Sequence, residues 1–79
     1  MKATGEQIEI FGIIMEDFRT IAYDAEQLHE NGTDKMDRAI GKDTMMTIAT
    51  IVSNLEQIAK AFENFDEITA EVNSWNRRN

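Results

Sequence analysis

The chain has 79 residues, 42 % of them hydrophobic and 29 % charged, with no proline, no cysteine and four glycines. That composition allows one small domain, is too apolar for a disordered chain, and excludes both disulfides and a cysteine zinc site. The net charge of −7 argues against direct nucleic-acid binding and against anionic membrane surfaces, because both require clustered Lys and Arg.

A chain this short buries only about 60 % of the surface its unfolded form exposes, so helix packing must supply the missing staple, within one chain or between copies. The opening residues Met1-Lys2-Ala3-Thr4-Gly5-Glu6-Gln7 turn polar where a signal peptide is apolar. The longest near-continuous apolar run, Phe11 to Met15, is far too short to span a bilayer. The expected location is cytoplasmic, with no membrane insertion.

The first predicted helix covers residues 5–30. Phe11, Ile14, Phe18, Ile21, Ala25 and Leu28 recur at spacings of 3, 4, 3, 4 and 3, a heptad seam that no strand can produce. Thr4-Gly5-Glu6-Gln7 reads as a capping box at its start. Asn31-Gly32 marks its end, where a left-handed residue closes the last turn. Gly12 interrupts the helix at a cost of about 1 kcal/mol relative to alanine.

Residues 31–43 read as a connector, with one helical turn from Thr33 to Ile40 ended by Gly41. Asp43 or Thr44 then caps a second helix over residues 44–77, whose seam is Ile48, Ile51, Leu55, Ile58, Phe62 and Phe65. Ile68, Val72 and Trp75 continue the apolar pattern after a stammer between 65 and 68. Asn64-Phe65-Asp66-Glu67 resembles a second capping box, so the helix either distorts or restarts there. A continuous, distorted helix is the preferred reading. Arg77 and Arg78 suit its C-terminal end.

The fold class is therefore all-α, an antiparallel helical hairpin. Its apolar stripes are wider than one neighbour requires. Ile8, Met15 and Ala22 form a second line beside the first seam, Ile10 and Ile13 widen it further, and Val52 and Ala59 flank the second seam. Stripes of that width face two neighbours. Pairing of two chains into a four-helix bundle is the simplest solution. The alternative is that residues 66–77 fold back as a third helix and fill the groove within one chain.

Glu26 and His29 have the Glu-x-x-His spacing of di-iron bundles. A turn centred near residue 37 places Glu26 opposite Thr47, however, where Thr44 to Ser53 offers no carboxylate. No metal and no cofactor are expected. The acidic pairs Glu16-Asp17 and Asp66-Glu67 lack the concave surroundings that separate catalytic pKa values. No Ser-His-Asp set, phosphate loop or calcium loop is present, and the chain reads as a non-enzyme.

Charge is unevenly distributed. Residues 1–30 carry seven acids and two bases, residues 31–44 three of each, and residues 45–79 five acids and three bases. Glu9, Glu16, Asp17 and Asp24 give the first helix an acidic face suited to steering a basic partner. Trp75, four residues from the end of the chain, is the best single candidate for an intermolecular contact. The self-association or partner interface is expected at Ile8, Met15, Ala22, Val52, Ala59 and Trp75. These features point to a stoichiometric interaction protein that pairs with itself and with a larger protein target, as adaptor or inhibitor. Small phage and mobile-element regulators have this size and composition. The alternative is an acidic mimic of nucleic acid that occupies a basic groove.

Overall fold

The computed structural model describes the backbone of residues 1–78 and the side chains of residues 1–75. The side chains of Arg77 and Arg78 lie outside the described residues. Three helices follow in order: α1 over Gly5–Asn31, α2 over Lys35–Lys60 and α3 over Phe65–Arg78. Among the described residues no strand occurs, and α1 and α2 pack as the two long members.

The start of α1 follows the local signal. Thr4 is extended, its hydroxyl oxygen accepts the Gln7 N–H at 3.1 Å, and the Gln7 side chain accepts the Thr4 N–H at 2.9 Å. Two of the orphan donors at the helix start are thereby satisfied. The end of α1 differs from expectation. Gly32 is extended (φ −60°, ψ 139°), and its N–H donates to the Leu28 carbonyl at 2.9 Å.

The connector spans residues 32–34, not 31–43. Asp34 caps α2 by accepting the Asp37 N–H at 2.8 Å, so residues 35–43 join the second helix nine residues earlier than expected. Gly41 is an interior residue of α2, not a stop. An added Cβ there would lie 2.6 Å from both the Ala25 carbonyl oxygen and the His29 nitrogen. The glycine lets the two backbones touch, which offsets its poor helix propensity.

The second helix is not continuous either. It ends at Lys60, where the Ala61 and Phe62 N–H groups donate to the Ile58 and Ala59 carbonyls, each at 3.1 Å, in a tightened last turn. The early connector explains the break. With the turn at 32–34, Asn64 is already level with Ala3. A helix continued through residue 77 would project roughly 20 Å past α1, at 1.5 Å per residue, with Ile68, Val72 and Trp75 unpartnered. Instead α3 folds back along α1, placing Ile68 beside Ala3 and Trp75 beside Gly12. The expected fold-back of a third helix is observed, but α3 does not fill the groove, because it packs on α1 and barely touches α2.

The core is small. Ala3, Ala59 and Ile68 form its centre, with Ile8, Phe11 and Phe62 packed against it. Ile68, 2 % exposed, is the most deeply buried large side chain described. Ala25 and Ile48 are buried farther along the hairpin. The molecule is a slab of 47 × 24 × 15 Å.

Candidate functional site

The six predicted interface residues are split by α3. Ile8 and Ala59 lie in or against the core, Ala59 being 3 % exposed. Trp75 is half-buried within the chain: its indole crosses Gly12, and its Nε1–H donates to Glu71 Oε1 at 2.9 Å. Met15, Ala22 and Val52 line an open groove instead.

That groove exists because α3 leans on α1 and touches α2 only lightly. A crevice between α3 and α2 is lined by Phe11, Met15, Ala59, Phe65, Ile68 and Val72. Beyond α3 it continues as a cavity of about 310 Å³ bounded by Met15, Phe18, Ala22, Met45, Ile48 and Val52. Met15 and Val72 border both parts, which follow one another along α2 from Ala59 to Met45, with Arg19, Glu56, Lys60, Thr69 and Asn73 also in their lining. At 1.5 Å per residue the trough they form is about 21 Å long, the length of four helical turns. Methionines at both sides allow it to adapt to an irregular occupant.

A second apolar surface lies on the opposite side of the hairpin. Ile10, Ile14 and Ile58 surround a shallow cavity with Gln7 and Phe62. Ile21 and Leu28 extend this line at sevens from Ile14, and Ile51 lies seven residues before Ile58. Ile21 is 47 % exposed and Ile58 54 % exposed. The seam residues Ile14, Ile21, Leu28 and Ile58, expected between the helices, are thus turned outward. Their fellow seam residues Phe18, Ala25 and Ile48 stay covered, as expected. The sequence signal for this rotation was the set of small residues, Gly41 and Ala25, which mark where the backbones approach.

The acidic residues spread over the outer side of α1. Glu9, Asp17 and Asp24 are exposed, while Glu16 is partly covered. Glu16 accepts two hydrogen bonds from Arg19, at 2.7 and 3.0 Å. These bonds, helped by the guanidinium charge, hold the Glu16 carboxyl below its usual range and raise the Arg19 pKa. At the other end, His29 Nδ1 lies 3.2 Å from the Arg38 carbonyl oxygen. A carbonyl only accepts, so Nδ1 carries the proton.

The tight turn also moves Glu26 away from Thr47 and towards residue 41, so the expected opposition of Glu26 and Thr47 does not occur. Among the described residues no three His, Asp or Glu side chains converge on a metal-sized site, and no helix is long and apolar enough to cross a membrane. The chain matches no family model, no curated protein and no solved structure.

Proposed function

We propose that this protein acts stoichiometrically in the cytoplasm, as an adaptor or inhibitor of a larger protein target, and that it also pairs with itself. The observation that carries this reading is the open trough along α2. It is mainly apolar, with Arg19, Glu56 and Lys60 also in its lining, it extends along about four turns of α2, and Met15, Ala22 and Val52 lie in it. An amphipathic helix of the target would bury its apolar face there, while the net negative field of α1, whose exposed acids lie away from the trough, speeds encounter with a basic target. Self-pairing would bring two α1–α2 hairpins into one core of four long helices.

The competing reading, a nucleic-acid mimic, would rely on the acids of α1. Glu16 is a poor contributor to such a surface, because Arg19 already holds its carboxylate. Salt distinguishes the two. Target capture by the wild-type chain and by Val52→Asp is compared at low and moderate salt. Capture that survives salt and is lost in Val52→Asp, with helicity retained, supports the trough. Capture that collapses with salt and ignores Val52→Asp would instead favour mimicry.

A further inference from the structure

The trough does not account for the opposite side of the slab, where Ile10, Ile14, Ile21 and Leu28 of α1 run beside Ile51 and Ile58 of α2. We infer that this isoleucine face is covered by a second copy of the chain, with each α1 lying antiparallel along the partner's α2. The inference rests on the self-pairing reading above and adds the face and the arrangement.

Three features favour a second copy over an unrelated partner. First, the face has the dimensions of a stable dimer contact. Two helices about 40 Å long and together roughly 20 Å wide present about 800 Å² per protomer, the share a standard interface takes from each side. Within that footprint Ile10, Ile14, Ile21, Leu28 and Ile58 are 36–54 % exposed, a cluster that a monomer rarely leaves open. Second, the face consists of two antiparallel heptad lines, 14-21-28 and 51-58. A two-fold axis parallel to the helices lays one kind of line on the other, as in an up-down four-helix core. Third, charge chooses the pairing. The α1 rim carries Asp17 and Asp24, whereas the α2 rim carries exposed Thr47, Thr50 and Asn54, with no charge between Asp43 and Glu56. Laying α1 on α1 would set acidic rims together, while laying α1 on α2 sets Asp17 beside uncharged groups.

This arrangement leaves α3 and its trough on the outer side of each protomer. The dimer would therefore present two troughs facing away from each other, making it bivalent towards a target.

Sedimentation equilibrium of the wild-type chain, Ile21→Glu and Ile58→Glu tests the face, with circular dichroism reporting helicity. The wild-type mass is expected at twice the 9.0 kDa chain. Each variant should keep its helicity and raise the dimer dissociation constant at least about 100-fold, as central apolar anchors do. Both side chains are about half exposed, so folding is spared. A dimer broken by Val52→Asp but untouched by Ile21→Glu and Ile58→Glu overturns this face and leaves self-pairing intact. A monomeric wild type overturns both. Thiol cross-linking then tests the pairing, since the chain has no native cysteine. Asp17→Cys mixed with Thr50→Cys should give the mixed disulfide, and efficient cross-linking of Asp17→Cys to itself would overturn the antiparallel α1–α2 contact.

Discussion

The carboxamide of Asn64 grips the backbone of Ala3 at both polar atoms. Its Oδ1 accepts the Ala3 N–H at 2.8 Å and its Nδ2 donates to the Ala3 carbonyl at 3.0 Å. The same Nδ2 donates to Glu67 Oε2 at 2.7 Å. One side chain, 7 % exposed, therefore ties the segment before α1 to the turn that launches α3. The Glu63 N–H strengthens this clasp by donating to the Met1 carbonyl at 3.0 Å.

Asn64→Ala leaves the buried Ala3 N–H and carbonyl without partners. Unfolding in urea should show a loss of about 1–3 kcal/mol, the cost of an unsatisfied buried group. Asn64→Asp keeps one acceptor but faces Glu67 with a like charge, and should lose a similar amount at neutral pH. Wild-type stability in both variants would remove the clasp.

The two interior glycines should respond differently to alanine. In Gly41→Ala the new Cβ meets backbone atoms of Ala25 and His29 at 2.6 Å, which cannot yield without parting α1 from α2. A loss of about 1–3 kcal/mol is expected despite better helix propensity. In Gly12→Ala the new Cβ meets Trp75 Cδ1 at 2.6 Å, and a side chain can turn aside. Tryptophan emission should shift to the red while the melting temperature changes less than in Gly41→Ala.

Ile58 belongs to the heptad seam and Ile68 follows the stammer, yet their burial is opposite, at 54 % and 2 % exposed. Ile68→Ala should cost about 2–5 kcal/mol, as for other buried aliphatic truncations. Ile58→Ala should change the stability of the isolated chain by about 0.5 kcal/mol or less. Calorimetry at concentrations below the dimer range checks both. Equal losses would contradict the fold-back of α3.

Arg19 lowers the Glu16 pKa chiefly through their hydrogen bonds. A carboxyl depressed in the folded state contributes stability above its unfolded pKa and loses it as pH falls through the folded value. The Glu16–Arg19 contribution is therefore complete at neutral pH and disappears on acidification below the ordinary glutamate range. Carbon-detected NMR titration should place the Glu16 midpoint below the ordinary glutamate value, and Arg19→Ala should raise it. An unchanged midpoint in Arg19→Ala would show that the pair does not persist in solution.

Much of the architecture was legible because it is set by neighbours three or four residues apart. The helical class and the start of α1 at Thr4 follow from such local contacts, whereas the Asn64 side chain, read as a cap, binds Ala3 and the Glu67 carboxylate instead. Asp34 is an equally local cap, but Gly41 carries a stop signal that points the other way. Glycine ends a helix only when no neighbour rewards continuation, and here the reward is the close approach of Ala25 and His29.

Sequence alone determined that this chain is a set of amphipathic helices with more apolar surface than a simple hairpin can hide. Heptad spacing and composition suffice for that, since they count apolar positions on a helix without asking what faces them. Only the tertiary structure decided how that surface is divided. The turn at 32–34 set the helices in register, and that register left residues 65–78 nothing to pack on except the hairpin itself. By lying on one side, α3 enclosed Ile8 and Ala59 and left Ile14, Ile21 and Ile58 on the other. Period and composition are identical for the two sides of a hairpin. Only contacts between residues some sixty positions apart, such as Asn64 with Ala3, break that equivalence.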